Sequence, residues 1–322
     1  MMESTESLTI IIPCYNEEEV LPITYPRVKK MLDTLNVEEL VAGKILFIND
    51  GSKDKTKEIL NEIAEKDEDV QVLHFSRNFG HQAALTAGMR ACYSDYAAVI
   101  DADLQDPPEE IPGMLKMMKT EGHDVVYGVR SKRDGETFFK KWSAKMFYRF
   151  LNYMTERPIP QDTGDFRILN RNVLDAFRNL PEHNKYIRGI ISWMGFSQAP
   201  YYYHRKERAA GETKYSMSKM IRLATDAIQY FSYKPLKLAT RLGFISVIIG
   251  LLLGLWVIFG KIFGFTYPES GWSSIMIAII FFGGIQLITI GVLSKYVGVI
   301  FDEVKRRPEY IIAETKNLEE KK

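Results

Sequence analysis

The sequence predicts an α/β fold, a mostly parallel sheet with helices on both faces, joined to a C-terminal hairpin of two membrane-spanning helices. Three observations predict it. Short β-rich runs alternate with segments of helix length through the first half of the chain, the pattern of strand–helix–strand units. A polar cluster follows directly on each of the first four apolar runs, and in such sheets ligands bind beyond the carboxyl ends of the strands. Towards the other end, 242–259 and 272–294 carry no charged residue. Each is long enough to cross a hydrocarbon core of about 30 Å as a helix.

The first strand is LTIII (8–12), followed by a helix over 17–35. KILFI (44–48) precedes a helix over 53–66, and VQVLHF (70–75) precedes one over 83–92. YAAVI (96–100) precedes a helix over 108–121, and DVVYG (124–128) closes the series. The next helix, 142–154, has two unlike faces. Trp142, Met146, Phe147, Phe150, Leu151 and Met154 make an apolar stripe, and Lys141, Lys145, Arg149 and Asn152 make a basic one. That pattern suits an amphipathic helix at a membrane interface; a helix packed on the domain core with a solvated face is the alternative. A second such helix, 216–233, leads directly into the first span.

Helices buried in a soluble protein are rarely apolar on every face for so long, so the two uncharged runs are read as membrane spans. Their link, 261–271, is short, and the flanks on the other side are basic: Lys234, Lys237 and Arg241 before, Lys295, Lys305, Arg306 and Arg307 after. Cationic flanks stay on the cytoplasmic side, so both termini and the catalytic domain are expected there. Tyr267 and Trp272 would mark the far interface. The expected domains are a cytosolic catalytic domain (1–210), an interface helix and linker (211–237), two transmembrane helices (238–301) and a cytosolic tail (302–322). Gly250 and Gly254, four apart, make a homo-oligomer through the spans a further expectation.

At 322 residues the chain holds one large domain or two modest ones. A net charge of +1 leaves no general basic field, so no nucleic-acid partner is expected. Cys14 and Cys92 are too few for a disulfide framework and their spacing suits no zinc site. Reduced buried thiols fit a cytosolic compartment. The early run 8–12 is short, follows acidic residues and has no cleavage-like sequence after it, so no signal peptide is expected.

The polar clusters are PCYNEEE (13–19), NDGSKDKT (49–56), SRNFGHQAA (76–84) and DADLQDPP (101–108). Singly, each reads as loop chemistry. Asp50-Gly51-Ser52 is a common turn, Ser52 or Asp54 could be an N-cap, and Glu18 and Glu19 suit an acidic first helical turn. Asp106 before Pro107-Pro108 reads as a helix N-cap with proline in the first turn. Four clusters on one rim exceed what capping explains. Asp101, Asp103 and Asp106 also lie within six residues, a crowding that calls for a cation among them.

These motifs, with DTGDFR (162–167), GETKYS (211–216) and the two-span C-terminus, resemble family 2 glycosyltransferases. These are inverting enzymes of the Rossmann-like GT-A fold. The resemblance is to the branch that uses polyisoprenyl phosphates, which includes dolichol-phosphate mannose synthase and bacterial undecaprenyl-phosphate glucosyltransferases. It covers nearly the whole chain.

The resemblance implies a nucleotide sugar and a polyisoprenyl phosphate as substrates. It places Pro13, Tyr15 and Glu17 along the base and ribose and has Asp50 hydrogen-bond the base. It sends Asp103 and Gln105 to a metal and Asp101 to the ribose or the metal edge. Mg2+ or Mn2+ suits such oxygen ligands and neutralises charge building on the leaving diphosphate. Asp162 or Asp165 is the acidic group near the reaction centre, orienting the sugar and the acceptor-binding arginines, with proton removal secondary. For the acceptor phosphate the candidates are Arg130, Arg133 and Arg167, since arginine holds phosphate with paired donors.

The expected activity is direct displacement at the anomeric carbon, moving a hexose, glucose from UDP-glucose first, onto undecaprenyl phosphate. UDP-GlcNAc, UDP-galactose, GDP-mannose and an aminoarabinose nucleotide are the alternative donors. A nonenzymatic lipid-linked-sugar translocator or scaffold is the rival from another class, and a metal-dependent phosphohydrolase a third.

Overall fold

Every residue from Leu8 to Cys14 is buried. A strand apolar on both faces belongs in the middle of a covered sheet, and β1 (Glu6–Cys14) lies there. The computed structural model describes residues 6–39, 41–130, 163–182, 186–204, 233–264 and 271–318. Beside β1 on one side are β2 (Val41–Asn49) and β3 (Val70–Phe75), each parallel to its neighbour. On the other side β4 (Tyr96–Val99) is again parallel to β1. α1 (Leu21–Glu39), α2 (Thr56–Lys66), α3 (His81–Ala91) and α4 (Ile111–Glu121) connect and follow these strands. The parallel core and its helices thus fall close to the ranges expected from the sequence.

The rest of the sheet is not simply parallel. β5 (Val125–Arg130) does not sit beside β4; β6 (Thr163–Asn170) is inserted between them, antiparallel to both. β7 (Gln198–Tyr203) pairs parallel with β5 at one edge. At the other edge β8 (Ile312–Lys316) runs antiparallel to β3. The order is β7-β5-β6-β4-β1-β2-β3-β8. Two short helices, α5 (Arg171–Arg178) and α6 (Ile187–Met194), follow β6. The segment 302–322, expected as a tail, therefore contributes an edge strand to the catalytic sheet.

The chain divides into two compact units, and residues from Arg307 onward belong with the sheet. The other unit contains α7 (Lys234–Ile262) and α8 (Trp272–Val304), which contact one another. Both are long and apolar enough to cross a membrane, and none of their apolar window is buried inside the protein. Phe244, Leu251, Trp256, Ile277, Leu287 and Phe301 are among the exposed side chains. Such helices are not core helices of a soluble domain. The amphipathic helix 142–154, and all but the last residue of 216–233, lie outside the described residues.

Candidate active site

The turn after β2 builds the first half of the site. Asn49 Oδ1 accepts the Ser52 amide at 3.0 Å, closing Asp50-Gly51-Ser52. Gly51 has φ +61°, and a Cβ there would stand 2.2 Å from the Arg77 carbonyl carbon. Only glycine meets both demands. The close approach sets the loop after β3 against Asp50. Its buried carboxylate accepts the amides of Phe79 at 2.6 Å and Gly80 at 2.9 Å, and the Asn78 side chain at 3.0 Å. Burial pushes Asp50 above the ordinary carboxylate range while the Phe79 and Gly80 amides pull it back. In this structure Asp50 ties two rim loops together.

The loop after β1 joins the same assembly. The Asn16 amide donates to Ser52 Oγ at 3.0 Å and the Glu17 amide to Thr56 Oγ1 at 2.8 Å. Asp54 takes the amides of Thr56 and Glu18. The residue at the N-cap position of α2 is Lys55, with no side-chain cap; Ser52 bridges to the loop after β1, while Asp54 both takes the first amide of α2 and bridges to Glu18. Pro13 is buried at the end of β1, and Tyr15 is exposed, its ring available for stacking. Glu17 is half-buried.

After β4 the chain turns sharply, with buried Leu104 at φ +56°, an uncommon conformation for leucine. This turn carries the aspartates. Asp103 Oδ1 accepts the Gln105 amide at 3.1 Å. Asp106 is fully buried and accepts a hydrogen bond from the Tyr203 hydroxyl. The N-cap of the following 3₁₀ turn is Pro107, with no side-chain cap. The capping expectation for Asp106 is therefore corrected: β7 brings a tyrosine the sequence could not place.

The inserted strand β6 supplies the second half. Val99 pairs with Arg167 in the antiparallel β4–β6 ladder, so continuing that register sets Asp165 opposite Asp101. Arg188 on α6 grips Asp165, Nε to Oδ1 at 2.8 Å and a terminal nitrogen to Oδ2 at 3.2 Å. His81 Nε2, at the start of α3, lies 3.1 Å from Asp165 Oδ2 and 3.8 Å from Asp101 Oδ1. Asp165 is buried, yet Arg188 and His81 hold it well below the usual carboxylate range. Burial works against a charge on His81, but the Asp165 hydrogen bond and the Asp101 and Asp165 charges raise it to about 9. Burial pushes Asp101 up to about 6; His81 opposes this, and Asp165, Asp106 and Asp103 add to the rise.

Arg167 is buried and turned onto its own strand, donating to the carbonyls of Asp165 at 3.3 Å and Gly164 at 3.1 Å. Its fit is to a brace for β6 more than to a phosphate ligand. Arg188, passed over in the sequence, is more open, with 26% of its side chain exposed against 5% for Arg167. Arg130 ends β5, but its side chain, with Arg133 and Asp162, lies outside the described residues. His81 could have been found, since it stands in SRNFGHQAA. Arg188 carries no motif.

Residues 9–178 match the model of the family described as glycosyl transferase family 2. The chain is 48% identical over 98% of its length to an uncharacterized glycosyltransferase, YkcC, of Bacillus subtilis, covering 95% of that protein. It is 39% identical over 95% of its length to an SfII prophage-derived bactoprenol glucosyl transferase of Shigella flexneri, covering 97% of it. A prophage bactoprenol glucosyl transferase homolog of Escherichia coli is 38% identical, with 96% of this chain and 99% of that one aligned. Among solved structures, a glucosyl-3-phosphoglycerate synthase from Mycobacterium tuberculosis aligns at 17% identity and TM-score 0.49, over 70% of this chain and 76% of that one. On the family match and these near-full-length relatives, the chain belongs to glycosyl transferase family 2.

Proposed function

We propose that this glycosyltransferase moves a hexose, glucose from UDP-glucose first among the candidates, onto undecaprenyl phosphate at the cytoplasmic face of the membrane. The product is a lipid-linked sugar for cell-envelope glycosylation. The observation that carries the reading is similarity to bactoprenol glucosyl transferases along almost the whole chain, rim and apolar hairpin alike. Two exposed apolar helices suit an enzyme whose acceptor lives in a bilayer. The basic flanks of the spans favour termini on the cytoplasmic side, where nucleotide sugars are made.

The nucleoside half of the donor lies against Pro13, Tyr15 and Glu17, with Asp50 holding the rim loops around it. The donor set beside it fits a divalent cation. Asp103 and Gln105 offer hard oxygens, with the carboxylates of Asp101 and Asp106 close by. Among the described residues no three His, Cys, Asp or Glu side chains form a complete metal site. The chain would hold Mg2+ or Mn2+ through Asp103 and Gln105. When bound, the ion would neutralise charge on the leaving diphosphate.

On the acceptor side, a phosphate monoester has its second pKa near ~6 and arrives largely dianionic. Alignment against another anion is then the harder task. Arg188 and His81 provide positive charge beside Asp101, and Arg130 and Arg133 are further candidates. Asp165 suits orientation more than proton removal, because Arg188 and His81 lower its affinity for a proton and both oxygens already accept hydrogen bonds.

The test uses the purified full-length protein with undecaprenyl phosphate and each of UDP-glucose, UDP-GlcNAc, UDP-galactose, GDP-mannose and an aminoarabinose nucleotide. Nucleoside diphosphate should appear only when lipid phosphate is present, fastest from UDP-glucose. Release of nucleoside monophosphate and sugar phosphate without lipid would point to a phosphohydrolase, and no release from any donor to a translocator or scaffold.

A further inference from the structure

The stretch that follows α8 does more than end the chain. Arg306, at φ +49°, and Pro308 stop the helix, and the next residues dock on the loop that holds Asp50. The Tyr310 ring stacks on Phe75, centroids 5.0 Å apart and planes 10° from parallel. Phe75 meets Phe79 edge-on at 5.8 Å. The Ile311 carbonyl accepts the Ser76 amide at 3.0 Å. Glu309 lies 3.6 Å from Arg90, which also bonds the Tyr310 hydroxyl. Arg90 stands in the last turn of α3, the helix that His81 begins.

We infer that residues 309–311 are a positioning element for the donor site. They hold both sides of the Ser76–Gly80 loop, whose Phe79 and Gly80 amides hold Asp50. The chemistry for this is local and continuous. An aromatic pair fixes the strand end, a backbone bond fixes the first loop residue, and a charge contact fixes the helix behind it. Four residues, 305–308, separate this element from the end of α8. The donor loop is therefore fastened by chain that continues straight from an apolar helix. No residue of 309–311 need touch the substrate.

The inference rests on the donor assignment above for its functional half, and its structural half can be read without any substrate. Three full-length variants are compared with the wild type: Tyr310→Ala, Tyr310→Phe and Asn317→Ala. Asn317 anchors the far end of β8, donating to the Ala64 carbonyl at 2.6 Å and the Val70 carbonyl at 2.9 Å. It serves as the control for merely loosening the edge strand.

Hydrogen exchange of the Phe79 and Gly80 amides, without ligand, should quicken in Tyr310→Ala but not in Tyr310→Phe or Asn317→Ala. UDP binding by calorimetry should weaken in Tyr310→Ala by roughly three- to tenfold, the worth of one buried ring pair, and recover in Tyr310→Phe. Unchanged amide exchange in Tyr310→Ala, or an equal rise in Asn317→Ala, overturns the inference, as does quickened exchange with unaltered UDP affinity. A wild type that does not bind UDP defeats the proposed function alone, because the exchange result then still decides whether 309–311 position the loop.

Discussion

Asp165 shows how one strand insertion sets the character of the site. A carboxylate gripped by Arg188 and touched by His81 is a poor proton acceptor, since protonation would break both contacts. Asp165→Asn should therefore lower kcat/KM by about 100-fold or more at every pH, without moving the acid limb of the profile. A rate–pH curve whose acid limb vanishes in this variant would make Asp165 the base. Arg188→Ala leaves the buried Asp165 charge without its main partner and should cost a similar factor. Arg188→Lys should restore only part of it, because lysine cannot form the paired contact. Gly51→Ala forces a Cβ into the Arg77 backbone at a positive φ, so it should cost on the order of 2 kcal/mol or more of stability. Thermal unfolding reads this directly. The acidic motifs themselves were legible, because carboxylates crowded at strand ends are rare without a purpose. Their pairings were not. His81 reaches Asp165 across 84 positions and Arg188 across 23, through a strand pairing that no local pattern announces.

At the scale of elements, β2, β3 and α2 are tied by a buried polar chain. Asn49 Oδ1 is fixed by the Ser52 amide, so its amide nitrogen faces His74 Nδ1 at 3.0 Å, and His74 Nε2 donates to Asn61 Oδ1 at 3.0 Å. This network requires the neutral ring. Burial lowers His74 to about 4, with Lys57 and Lys316 adding to the fall and Glu314 and Glu58 opposing it. Between about pH 6.5 and 4 the unfolded chain thus takes a proton that the folded one refuses, so stability should fall as pH falls through that window. The loss is on the order of 2–3 kcal/mol at its lower end. Thermal midpoints from pH 7.5 to 4.5 should drop more steeply for wild type than for His74→Gln, which has no proton to bind. Parallel slopes would place the acid sensitivity elsewhere. β1 to β5 could be read from the sequence because their runs are apolar and largely buried. β6 and β8 could not: TGDFRILN and IAETK mix charged and apolar residues, and their strand state comes from the neighbours they pair with.

For the whole molecule, the apolar hairpin is an insertion in the path of the sheet. Among the described residues seven strands precede α7 and α8, and an eighth follows them to complete the β3 edge. A protein cut after residue 232 would lose the two apolar helices and β8 together. It would expose the β3 edge, the Phe75 ring and the loop that holds Asp50. Open edges of this kind pair with other chains. Several ladder bonds at about 0.5–1.5 kcal/mol each are also lost. The truncated form should therefore unfold lower by on the order of 10 °C than one in which a flexible Gly/Ser linker replaces 233–306 and delivers 307–318 back to β3. It should also aggregate sooner. The comparison isolates the edge strand, since neither form has the hairpin. Equal midpoints would mean that β8 adds nothing to the catalytic sheet. A higher midpoint with the linker, accompanied by tighter UDP binding, would mean that the sheet domain is complete only when the chain on both sides of the apolar helices is present.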